Sequence, residues 1–278
     1  MNKRKAGDIA SGMMFVWLAF YVAALFIPKW ADFIGILGCT VPMLAFKQRT
    51  RGKTFGTRDC NTVIYTKQDY AAFFAFCISG CALLSAIMYL LSNLGGAQTV
   101  TETATRSDFF YLLVFSCCIP AFFEEWMVRG GVLGALEKYG AAGVWMCAIV
   151  FALMHISPVK WVYTLFAGLL ITALVYLTEC IYLGMFLHFC NNFVSLLLSY
   201  LPRGAAEWIT LALLALLCAA SLLWLRQKRL FADTVQLLRL ANDMTVRDLL
   251  TPLFWVFVLL ILMIQLGAIS FAMLLPDQ

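Results

Sequence analysis

Charge is scarce in this chain. Of its 278 residues, 13% are charged and 63% are hydrophobic, and the mean hydropathy is +0.88. Soluble globular domains carry about a quarter charged residues, so an ordinary water-soluble core is excluded. Histidine is scarcer still, with two in the whole chain. The ten cysteines include no CxxC pair and no zinc-finger spacing, which removes the sequence signals for a zinc module. Most of them (Cys77, Cys81, Cys117, Cys118, Cys147, Cys190, Cys218) lie in apolar stretches and read as small buried hydrophobes. No basic, aromatic-laced soluble segment is present, so the net charge of +5 is not a nucleic-acid signature. Nor is there an internal repeat, and an inverted-repeat transporter gains no support.

Long apolar runs separated by short charged segments are what the chain does have. A helix needs about 20 residues to cross a bilayer core. Nine runs qualify as spans, at about 9–27, 30–46, 70–91, 109–128, 141–156, 161–178, 181–200, 207–225 and 253–275. The second and fifth are short, and the count is eight if the second is dropped. The first follows Met-Asn-Lys-Arg-Lys and lacks a small-x-small cleavage pattern, so it reads as an uncleaved helix rather than a signal peptide. The fold class expected is all-α: one transmembrane domain over 1–278, a polytopic helix bundle with an intramembrane polar cavity. Residues 92–107 read as an outer loop and 226–249 as an inner-face amphipathic connector.

Lys and Arg decide the orientation. With the N-terminus inside, inner segments hold three at the N-terminus, six between Lys47 and Lys67, Arg129 with Lys138, and five between Arg226 and Arg247. Outer segments hold Lys29, Arg106, Lys160 and Arg203. The charge asymmetry implies a multi-pass protein with a cytoplasmic N-terminus and the lipid bilayer as its medium, and the membrane expected is that of a bacterial cell.

Ionisable side chains inside apolar spans are costly and carry a functional hypothesis by default. Glu124, Glu125 and Arg129 end the fourth span; His155 closes the fifth; His188, Asn191 and Asn192 lie in the seventh. A membrane histidine alone is more often a satisfied interhelical hydrogen bonder. Here both histidines and an Asn pair lie at membrane depth, where each unpaired group would cost several kcal/mol. Glu124 lies 15 residues before Tyr139 and His155 lies 16 after it. A helical hairpin turning at Tyr139-Gly140 sets both at nearly one height, given a rise of about 1.5 Å per residue. Glu125 and Arg129 are i,i+4 and can pair; His188 and Asn192 are i,i+4 and share a face. Glu124 points about 100° away from Glu125 and is free to face a cavity.

Glu124-Glu125-x-x-x-Arg129, Phe151-x-x-x-His155 and His188-x-x-x-Asn192, in this order, resemble the CPBP family. That family comprises CAAX-type prenyl endopeptidases of the Rce type and bacteriocin-processing or self-immunity (Abi) proteins. The resemblance covers about 105–195, the motif-bearing core, and uses the only two histidines. It implies an intramembrane endopeptidase acting on a peptide or protein substrate at the membrane, without a cofactor. Glu124 and His155 would activate water, His188 and Asn192 would form the oxyanion hole, and Glu125 and Arg129 would hold the site in shape. No Ser or Cys stands beside a histidine in a nucleophile-like setting, although Cys190 is close to His188. A zinc-dependent alternative would use Glu124, His155 and His188 as ligands, but no HExxH is present and Asn192 is left without a role. Other readings are a non-catalytic scaffold or self-immunity protein, and a transporter with Glu124 as proton site.

The charge asymmetry predicts that an impermeant thiol reagent added outside will modify a Cys placed at Thr101 but not Cys60; outside labelling of Cys60 would reverse the orientation.

Overall fold

In hydrocarbon a backbone must satisfy its own hydrogen bonds, and helices do so within one segment. The computed structural model describes residues 3–49, 54–57, 60, 64–94, 108–200, 205–240 and 247–274. It is 91% helical, with no strand among the described residues. Among the described residues, seven helices are long and apolar enough to cross a membrane. One of the seven, Phe109–Met154, is a 46-residue run that covers both the fourth and the fifth expected spans. The last expected span, 253–275, is a helix over Pro252–Leu274. The chain is an all-α, multi-pass membrane protein.

Helix α1 (Lys3–Phe26) and α2 (Ala31–Arg49) form an antiparallel pair joined by a tight turn at Pro28–Trp30. Helix α3 is Lys67–Leu94. Its start is held by Asp69, whose carboxylate accepts from the Thr66 backbone N–H at 2.8 Å, while Thr66 Oγ1 accepts from the Asp69 N–H. This is a reciprocal capping arrangement. The outer loop expected at 92–107 falls mostly on 95–107, outside the described residues.

The fourth long helix, α4, is not regular. It runs through Phe109–Leu112, π-helical turns at Leu113–Cys118, α-helix at Ile119–Glu125, π-helical turns at Trp126–Leu133 and a last piece at Gly134–Leu136. The chain then turns through Glu137–Tyr139 and reverses at Gly140, whose φ of +55° suits glycine. Helix α5 (Gly140–Met154) returns beside it. At 15 residues α5 spans about 22 Å, short of a bilayer core of about 30 Å.

Helix α6 (Pro158–Thr178) follows a break at Ile156-Ser157, and α7 (Ile181–Ser199) follows a left-handed Glu179. Helix α8 (Ala205–Leu225) packs on α3. Within the 226–249 connector lies helix α9 (Arg229–Arg239), which buries Leu230, Thr234 and Leu237 against α3, α5 and α6. Helix α10 (Pro252–Leu274) packs on α1. The core sits among α4 to α7, where Met127, Val132, Leu136, Met146, Ile171 and Leu174 are buried.

Cys60 and Cys180, 120 residues apart, form a disulfide. Reading the cysteines as small buried hydrophobes left this pair out. While that bond is closed Cys60 cannot report topology, and a Cys placed at the exposed Lys67 serves in its place.

Candidate active site

Glu125 is fully buried, and its Oε1 accepts two hydrogen bonds. One comes from Arg129 NH1 at 2.7 Å on the same helix; the other from His188 Nδ1 at 2.9 Å on α7. Arg129 is itself fully buried, and its NH2 donates to Gly168 O of α6 at 3.4 Å. The guanidinium lies 4.3 Å from the centre of the Phe151 ring, a cation–π contact that is strengthened by desolvation. The expected Glu125–Arg129 pair is present. The bond from His188 to Glu125 was not expected: helical spacing relates His188 to Asn192, and nothing in it relates His188 to a carboxylate 63 residues earlier.

Gly184, one turn before His188, makes room for this carboxylate. A Cβ at Gly184 would stand 2.7 Å from Val175 Cγ2 and 3.1 Å from Glu125 Oε2. That oxygen has no hydrogen-bond partner.

Phe151 lies at the junction of the site. Its ring packs edge-on to His155 at 4.9 Å and to His188 at 5.6 Å. Its carbonyl is 2.9 Å from His155 Nδ1. A carbonyl oxygen can only accept, so Nδ1 of His155 carries the proton and a neutral ring keeps Nε2 as its acceptor. His155 lies within electrostatic reach of Glu124, His188 and Lys160. Glu124 Oε2 is a buried atom without a partner. Cys39 of α2, which no motif marked, is buried and also within electrostatic reach of Glu124.

Asn192 Nδ2 donates to Ser116 O at 3.2 Å. Ser116 lies in the first π-helical turns of α4, four residues before Pro120. Proline has no N–H and cannot supply the i+4 bond to that carbonyl. Pro120 was the sequence signal for an open acceptor here, and α7 supplies the donor. π-Helical turns recur at functional sites, and two of them flank the short Ile119–Glu125 segment that carries both carboxylates.

The structure thus gathers Glu124, Glu125, Arg129, His155 and His188, while Asn192 anchors α7 to α4 one turn beyond His188. Among the described residues, no group of three His, Cys, Asp or Glu side chains is placed to hold a metal ion. The zinc set expected as an alternative, Glu124, His155 and His188, is not arranged as such a group.

Residues 106–194 match the family model described as type II CAAX prenyl endopeptidase Rce1-like. This segment is Rce1-like. It contains all six motif residues and spans α4 to most of α7, leaving α1 to α3 and α8 to α10 outside the match. The family suggested by the three motifs and the family of the matching model agree. No curated protein and no solved structure matches the chain.

Two substitutions test the buried cluster. Arg129→Ala leaves Glu125 without its ionic partner, and breaking a buried pair costs about 3–5 kcal/mol. Folded yield and melting temperature in detergent should fall with activity; a fully stable but inactive Arg129→Ala protein would place Arg129 at the substrate instead. Gly184→Ala forces its Cβ against Val175 and Glu125, an overpacking worth about 1–3 kcal/mol. Its melting temperature should drop, and an unchanged one would show that the cluster has slack.

Proposed function

We propose that this chain is an intramembrane endopeptidase that hydrolyses a peptide bond in a membrane-associated or lipidated protein or peptide with water activated by Glu124. The observation that carries the reading is the unequal state of two adjacent carboxylates inside an Rce1-like segment. Glu125 is ion-paired through Oε1 to Arg129 and His188, whereas Glu124 forms no ion pair among the described residues; the buried Oε2 of each is unpartnered, and His155 is within electrostatic reach of Glu124.

Peptide hydrolysis needs a base for water and donors for the oxyanion. Glu124 takes a proton from water as the oxygen attacks the carbonyl carbon, and His155 Nε2 orients that water by accepting its other hydrogen. General base catalysis contributes about 10²–10⁴-fold. The oxyanion takes donors from His188 and from the second N–H of Asn192 Nδ2, the first being spent on Ser116 O. Because Nδ1 of His188 already donates to Glu125, Nε2 can donate only when the ring is doubly protonated, with Glu125 as its counter-ion. Collapse of the tetrahedral intermediate breaks the C–N bond, and the proton held by Glu124 passes to the leaving amine. The resting position has the N-terminus and the 47–69 loop on the cytoplasmic side.

Glu124→Gln keeps shape and removes the base, so the protein should fold, insert and bind substrate but fail to cleave. Glu124→Asp retracts the carboxylate by more than about 1 Å and should cripple a positioned base. His155→Ala should resemble Glu124→Gln, and Asn192→Ala should lose about 10²–10³-fold. Double variants should lose less than the product of the single losses, because the residues act as a unit. Cleavage of a native substrate by purified Glu124→Gln at the wild-type rate would refute the glutamate mechanism. Cleavage by wild type only with added zinc would establish the metal reading in its place.

A further inference from the structure

The Cys60–Cys180 disulfide closes a strap across the back of the active site. Residues Thr54–Thr57 form a turn, with Thr57 Oγ1 donating to Thr54 O at 3.1 Å. The Phe55 N–H donates to Gly130 O at 3.2 Å, and the Ile181 N–H donates to Gly56 O at 3.0 Å. The Phe55 ring stacks on Tyr176 of α6 at 6.3 Å. Gly56 has a φ of +71°, and a Cβ there would stand 3.0 Å from the Ile181 nitrogen. Gly130 directly follows Arg129, and Ile181 opens the helix that carries His188. The strap therefore touches α4 at Gly130 and α7 at its start, the two helices joined through Glu125, and the disulfide fastens it to the α6–α7 turn.

The location of this bond gives it meaning. The strap belongs to the Lys47–Lys67 loop, which carries six Lys and Arg and which the positive-inside rule puts in the cytoplasm. Thiols are kept reduced there, and cytosolic disulfides are usually transient or redox-sensing. Cys60 is exposed and Cys180 is buried, so a small thiol can reach the Cys60 sulfur and leave Cys180 as the departing thiolate.

We propose that Cys60 and Cys180 are a reversible thiol–disulfide site that takes low-molecular-weight thiols and disulfides as its redox partners, and that its oxidation fastens the strap over Arg129 and the start of α7. Oxidation forms the Cys60–Cys180 S–S bond, and one low-molecular-weight disulfide accepts the two electrons and two protons to become two thiols. Reduction reverses this with two such thiols. The role in peptide cleavage rests on the proposed endopeptidase activity; the redox site itself does not.

The test separates the two. Full-length protein in detergent is equilibrated with glutathione disulfide or with dithiothreitol and melted. The oxidised form should melt about 5–10 °C higher, in keeping with a long-loop crosslink in a chain of this size. Cys60→Ser and Cys180→Ser should melt like reduced wild type in both buffers. In acid-quenched cells, a maleimide-linked polyethylene glycol should modify both cysteines at rest and neither after diamide treatment, scored against the two Ser variants. Equal melting of oxidised and reduced wild type overturns the strap, and a disulfide already closed in resting cells overturns the switch. Neither measurement uses a substrate, so a failed peptidase assay leaves this inference standing. With a cleavable peptide in hand, oxidised and reduced wild type should differ at least about threefold in rate, and Cys60→Ser should show no such difference.

Discussion

Glu125 is a carboxylate with no solvent exposure, held among apolar helices, and such an ion costs several kcal/mol unless its charge is met. That requirement organises the centre of the molecule. Arg129, one turn away on the same helix, meets the charge, and His188 joins it from α7. Arg129 in turn needs partners, which it finds in the Gly168 carbonyl of α6 and the Phe151 ring of α5. One buried oxygen thereby ties α4, α5, α6 and α7 into a fixed arrangement. The contact with Glu125 also fixes a proton on Nδ1 of His188, so the demand for charge compensation bears on the chemistry that this ring can offer.

Irregular backbone supplies the rest of the geometry. The short α-helical piece Ile119–Glu125 lies between two sets of π-helical turns. Pro120 denies Ser116 its usual donor, and Asn192 fills the gap from α7. Gly130 and Gly134 leave room on the outside of the second π-helical set for Thr54 and Phe55 of the strap. The site is built where α4 departs from the ideal helix, and the neighbours that restore its bonds belong to the same cluster.

Much of the fold was legible in the residues. Apolar run lengths marked the helices, and the chain reverses at Gly140, where the hairpin that would set Glu124 and His155 at nearly one height was expected to turn. The fifth span, short in the sequence, is the 15-residue α5. The Glu125–Arg129 pair was legible because i,i+4 neighbours meet on any helix. Two contacts were not legible. The Glu125–His188 bond joins residues 63 apart, and the Cys60–Cys180 bond joins residues 120 apart. No periodicity within one segment encodes either.

The sequence by itself determined what is local: the helices, their apolar character, the charge asymmetry between the two faces, and the short list of polar groups that a membrane interior would tolerate only for a reason. These follow from properties of consecutive residues, namely hydropathy, rise per residue and the 3.6-residue turn. Which distant side chain joins Arg129 on Glu125 was a choice that the tertiary structure alone made. That choice depends on how α4 is rotated against α7 and on the absence of a side chain at Gly184. Rotation of one helix against another is set by packing between distant segments, and distant segments leave no mark on the spacing within each.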